Sequence, residues 1–130
     1  MRNRYNINLY LARQITFSTH SERSYYHMKI ICTKTNLAKG VSIVSKAVPS
    51  KTTMPILECI LIDASTEVIK LTANDMELGI ETSIDGEIIE RGILALNARI
   101  FSEIVRKLPD SEIVIETQGD SQALITCEKA

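Results

Sequence analysis

A chain of 130 residues, 45% hydrophobic and 24% charged, has the length and composition of one globular domain. No run approaches the ~20 apolar residues of a membrane span. The three cysteines, Cys32, Cys59 and Cys127, are odd in number, far apart and free of any C-x-x-C spacing. This argues against zinc or dithiol chemistry and for small strand residues in a reducing cytoplasm. The formal net charge is −1. Residues 1–27 hold four arginines against Glu22, a balance of +3, which leaves −4 for the rest.

In chain order, residues 1–27 come first and read as a leader. They carry no sustained helical or strand period and lack the 7–15-residue apolar core of a secretory signal. Arginine and serine faintly suggest an organelle transit peptide, and chance composition explains them as well. The preferred reading starts translation at Met28 and leaves 1–27 unstructured or at most loosely docked, to be trimmed by limited proteolysis. Both histidines, His20 and His27, fall in this segment.

From residue 28 the alternation of Met28–Thr33 predicts a short strand. Thr35 or Asn36 can cap a helix with Leu37, Val41, Val44 and Val48 at helical spacing, stopped by Pro49. After a loop to Pro55, three strand-like runs follow, Leu57–Asp63, Val68–Asn74 and Glu77–Ile84. The last alternates Leu78, Ile80, Thr82 and Ile84 against Glu77, Gly79, Glu81 and Ser83, a dry face and a wet one. Asp85-Gly86 signals a turn.

The order then restarts. Ile88–Leu96 reads as a strand with a break near Gly92. Asn97 can cap a second helix with the stripe Phe101, Ile104, Val105 and Leu108, ended by Pro109. Glu112–Thr117 and Gln122–Cys127 read as strands around Gly119-Asp120. The two helix-ending prolines stand 60 residues apart. Strand, helix and three strands, then strand, helix and two strands, suggest internal duplication, with coincidence in an ordinary α+β domain as the alternative.

Charge sorts by element. Residues 34–51 contain Lys34, Lys39, Lys46 and Lys51 and no acid, and the second helix adds Arg99, Arg106 and Lys107 against Glu103. The strand block 57–90 holds nine acids against Lys70 alone. If both helices pack on one face of the sheet, that face is basic and the other acidic, which suits a polyanion met on one side. Lysines on a wet helix face are also simply solubilising. The aromatic platforms of a single-strand binder are absent, and so is the side-chain fork array of a base-reading helix. No G-x-x-x-x-G-K-S/T, G-x-S-x-G or G-x-G-x-x-G occurs, residues 28–130 have no histidine, and no catalytic or metal-binding constellation emerges. Asn74-Asp75-Met76-Glu77 has too few oxygen ligands for calcium and reads as a strand connection.

Three stretches carry a family resemblance: Lys51-Thr-Thr-Met-Pro-Ile-Leu57, Ile69-Lys-Leu-Thr-Ala-Asn-Asp-Met-Glu-Leu-Gly-Ile80, and Asn97-Ala-Arg-Ile-Phe-Ser-Glu-Ile-Val-Arg-Lys-Leu-Pro109. From Met28 onward the sequence resembles the N-terminal domain of bacterial DNA sliding clamps, the beta subunit of DNA polymerase III. The resemblance implies an α+β clamp fold, a duplicated strand–helix–three-strand unit with helices on one face of the sheet. The second unit's last strand would be missing, because residues 28–130 stop before it.

It implies a processivity factor, part of a ring that encircles duplex DNA and tethers the replicative polymerase, with no chemistry and no cofactor of its own. The partners implied are double-stranded DNA without sequence preference, a second copy head to tail, DNA polymerase III and the clamp loader, in the cytoplasm. DNA-contacting positions of the family match Lys51 and Arg99, with Lys39 and Lys46 as helpers. Lysine at 51, where arginine is also common, keeps the charge but not the planar fork. The chain alone is expected not to close a ring, and its sheet to end openly on Gln122–Cys127 with Leu124 or Ile125 uncovered. The competing readings are a freestanding domain with a protein partner and a small enzyme.

Overall fold

A computed structural model describes residues 2–8, 27–119 and 122–128. The strands are β1 (Arg2–Asn8), β2 (Lys29–Thr33), β3 (Cys59–Asp63), β4 (Ile69–Asn74), β5 (Gly79–Ile84), β6 (Glu87–Glu90), β7 (Ile93–Asn97), β8 (Glu112–Gln118) and β9 (Gln122–Glu128). The helices are α1 (Lys34–Val44) and α2 (Ala98–Lys107), with 3-10 turns at Ser45–Ala47 and Pro55–Glu58.

The strands form two antiparallel sheets rather than the one expected, in the orders β1-β9-β8-β2-β6 and β5-β4-β3-β7. Pairing is reciprocal. The strand before α1, β2, pairs with the first strand after α2, β8. The strand before α2, β7, pairs with the first strand after α1, β3. The two halves of the chain therefore build each other's sheets.

Alternation decides what each sheet buries. Ile30 and Cys32 of β2 sit opposite Ile115 and Ile113 of β8, all buried, while Lys29 faces Glu116 on the other side at 3.8 Å. In the second sheet Ile60, Ile62, Ile69, Leu71, Leu94 and Leu96 point inward. Leu37, Val41 and Val44 of α1 and Phe101, Ile104 and Val105 of α2 complete the same continuous core. Burying Phe101 fully makes it a major contributor, since losing a buried aromatic side chain typically costs about 3–5 kcal/mol.

Local departures from expectation have local causes. Thr33, the last residue of β2, caps α1 by accepting a hydrogen bond from Asn36 N at 3.2 Å, so the helix starts before Thr35 or Asn36. Asn97 caps α2 as expected, accepting from Ile100 N at 3.1 Å. The 57–63 run opens as a 3-10 turn because Pro55 sits at its first position, and the strand begins only at Cys59. Asp85-Gly86 is a crossing from β5 in one sheet to β6 in the other, not a hairpin. A Cβ on Gly86 would lie 2.6 Å from the Ile31 carbonyl oxygen, so only glycine allows that approach to β2. Arg91-Gly92 returns the chain to the second sheet, where Gly92 O accepts from Ala64 N at 2.8 Å.

The reading of 1–27 as an unstructured leader is corrected for its first residues. Arg2–Asn8 form β1 and pair antiparallel with β9 at seven positions. Ile7 is buried and Tyr5 packs against the core, which offsets the cost of ordering the strand. The edge of β9, expected to stand open, is covered, and Ile125 and Leu124 are buried. Residues 9–26 lie outside the described residues.

Gly40 is where α1 meets the second sheet. A Cβ there would lie 2.6 Å from Ile84 Cγ2 and 2.8 Å from Leu71 Cδ1. Gly40→Val adds three carbons where there is no room for one, and overpacking of this kind costs about 1–3 kcal/mol. Urea unfolding should show a lower midpoint with an unchanged slope, the slope times the midpoint shift giving that amount.

Candidate nucleic-acid interface

Lys39, Lys46, Lys51 and Arg99 are all exposed. Lys39 stands on α1 and Lys46 on the 3-10 turn that prolongs it, seven residues or about two turns apart. Lys51 lies in the loop between the two 3-10 turns, and Arg99 in the first turn of α2. None of the four forms an ion pair among the described residues. Lys39 lines a cleft of about 260 Å³ between α1 and β5, with Asn36, Thr82 and Asp85 on its walls.

The other helix bases differ in availability. Lys34 donates from Nζ to the carbonyl oxygen of Arg106 at 3.4 Å, and its own N–H donates to Ser111 O at 2.9 Å. With Thr35 Oγ1 donating to Asp110 at 3.3 Å, these contacts tie the start of α1 to the end of α2. Arg106 and Lys107 are exposed in the last turn of α2, Arg106 seven residues beyond Arg99. Neither was singled out from sequence as a site residue. The seven-residue spacing from Arg99 was the signal.

The acids lie elsewhere. In β5, Ile80, Thr82 and Ile84 turn toward the core while Glu81 and Ser83 are exposed on the opposite face. Glu87 and Glu90 of β6 and Glu67 and Glu77 in the loops are also exposed. Asp75 is occupied structurally. Its carboxylate accepts from Leu78 N at 2.7 Å and Glu77 N at 3.0 Å, and these hydrogen bonds, that from Leu78 foremost, hold it below the usual carboxylate range. The turn it closes carries Met76 at φ 82. Among the described residues no cluster of three His, Cys, Asp or Glu could hold a metal ion.

Known proteins share this fold. The profile described as "DNA polymerase III beta subunit, N-terminal domain" matches residues 28–130. The chain belongs to that family. It is 38% identical to the beta sliding clamp of Synechocystis over 98 residues, covering 74% of this chain and 25% of the relative. It is 40% identical to that of Bacillus subtilis over 111 residues, covering 79% and 29%. Among solved structures, one assigned as a DNA polymerase III beta subunit of Eubacterium rectale is 71% identical with a TM-score of 0.76, covering 79% of this chain and 28% of that one. The Bacillus subtilis DNA polymerase sliding clamp is 41% identical with a TM-score of 0.74, covering 80% and 30%. The chain thus spans about a quarter of the length of its curated relatives. The family is one of non-catalytic clamps, in keeping with the expectation that the chain is not an enzyme.

The cysteines take no part in this surface. All three are free and buried. Burial first, and the nearby Glu112 carboxylate second, push the Cys32 thiol up to about 12. Burial and then Glu58 push Cys59 up to about 11. Both are neutral thiols at pH 8, and iodoacetamide should leave them unmodified in the folded protein and modify them rapidly in denaturant. Their raised values favour folding fully below the ordinary thiol value near 9 and lose that contribution as pH climbs through 11 to 12, so alkaline unfolding should begin above pH 9.

Proposed function

We propose that residues 28–130 are the first domain of a DNA sliding clamp, a duplicated unit whose two basic helices face duplex DNA and whose acidic strand faces point away. The observation that carries this reading is the segregation of charge by element in a chain of the sliding-clamp family. As part of a longer protein it contributes one sector of a ring, closed head to tail by a second copy, that tethers DNA polymerase III and is placed on DNA by a clamp loader. No helix among the described residues is long and apolar enough to cross a membrane, and we assign the protein to the cytoplasm.

Lys51 and Arg99 are the principal phosphate contacts, with Lys39 and Lys46 as helpers. Arg99 has physical support beyond its charge. A cation in the first turn of a helix opposes the macrodipole and costs about 0.3–1 kcal/mol, a cost that an anion at the same place removes. The first backbone N–H groups of α2, other than the one Asn97 caps, add donors for that anion. Contacts of this kind position a duplex without reading bases.

A chain that holds DNA through three or four phosphates binds weakly, in the ~10⁻⁴ M range or worse at physiological salt. Retention on DNA then belongs to the closed ring and not to this domain. Fluorescence anisotropy with duplexes of unrelated sequence should give equal affinities that fall steeply with salt. Lys51→Ala with Arg99→Ala should reduce the slope of log K against log salt by about 2, at ~0.9 for each phosphate no longer neutralised. An unchanged slope would remove both residues from the site.

A further inference from the structure

After α1 the chain lays three strands outward from β7, in the order β3, β4, β5. After α2 it lays β8 and β9 outward from β2, and the third place is held by β1, from the other end of the chain. β1 runs antiparallel to β9, as β5 does to β4. We propose that the outer edge of β9 is a strand-docking site and that β1 is its detachable occupant, exchangeable with β1 of a second copy of this chain.

The site has a defined chemistry. Tyr5 pairs with Ile125 and Ile7 with Ala123, so both side chains continue the inward face of β9. Ile7 is buried, while the alternate residues Arg4 and Asn6 are exposed. The docking edge therefore takes an extended segment with apolar side chains two residues apart and polar ones between, the β-augmentation mode of recognition. Ile125, Ala123 and Cys127 are buried, and β1 replaces an apolar edge with one whose outward positions are polar.

Two features make the occupant detachable. It touches chiefly β9 and, more lightly, α2, so its departure leaves the remaining strand pairs intact. And residues 9–28, twenty in all, join it to β2. Three strand spacings, ~14 Å, separate β1 from β2, whereas twenty residues reach ~65 Å when extended. Every copy carries the same complementary segment on the same long tether, which is the condition for strand exchange between copies. At low concentration the strand of the same chain wins, because a connection of this length holds it at an effective concentration near ~1 mM.

The test uses the full chain and a fluorescent peptide of residues 1–8. Ile7→Asp in the chain should free the β9 edge, and the peptide should then bind in a salt-tolerant way. The unmodified chain should bind it roughly tenfold or more weakly, through competition with its own β1. A peptide carrying the same Ile7→Asp change should bind neither. Hydrogen exchange on the unmodified chain covers the case in which Ile7→Asp does not fold. There, the β9 amides that face β1 should exchange faster than those that face β8. Sedimentation at rising concentration should show a dimer that the milder Ile7→Ala weakens. Equal protection on both sides of β9, or a folded Ile7→Asp chain that ignores the peptide, would overturn the proposal, as would a dimer indifferent to Ile7→Ala.

Discussion

The core between the two sheets and the two helices admits no charged side chain among the described residues, and that exclusion distributes the charge of the whole domain. An ionised side chain taken out of water unpaired costs several kcal/mol, so each charge must stand on a face turned from the core. A strand has only one such face, at every second residue. Glu81 and Ser83 occupy it in β5, and Lys29 and Glu116 occupy it across β2 and β8. A helix offers the arc opposite its apolar stripe, and on α1 that arc takes Lys39 together with neutral residues. Charge segregation is thus written on surfaces that the core has already fixed. It can serve a polyanion without disturbing the packing.

The helix ends refine this picture. Both helices are capped by neutral side chains, Thr33 and Asn97, and neither has an acid in its first turn. Carboxylates would stabilise those starts more strongly, but they would also repel phosphate. At the far end of α2, Arg106 and Lys107 agree with the dipole. Lys34 stands at the start of α1 yet directs its ammonium to the Arg106 carbonyl, one of the last acceptors of α2. The bases therefore divide into those engaged in joining the helices and those left in water. Lys39, Lys46, Lys51 and Arg99 are in the second group.

Much of the fold could be read from the chain because its signals are local. The stripe of α2, the Asn97 cap, the break at Gly92 and the alternation through 79–84 each depend on neighbours a few residues away. What escaped depends on partners far along the sequence. Whether the strands form one sheet or two turns on the crossing at Gly86, and that glycine's reason is the carbonyl of Ile31. Thr33 ends a strand and caps a helix at once, so either role alone gives a boundary displaced by two or three residues. The site residues were readable as exposed bases. What distinguishes Lys34 from the rest is its hydrogen bond to Arg106, which spacing does not encode.

The N-terminal strand shows this limit most clearly. Arg-Asn-Arg-Tyr-Asn-Ile-Asn has only two apolar residues, and in isolation its alternation is too short to outweigh its polarity. An edge strand needs no more than that, since one of its faces and one of its edges meet water. Tyr5 and Ile7 suffice because β9 already presents Ile125 and Ala123 at matching positions and supplies the backbone partners. A sequence weak in its own right becomes structured by a template at the opposite end of the chain. β1 is paired on one edge only, with β9, whereas β8 and β2 are held between neighbours on both sides.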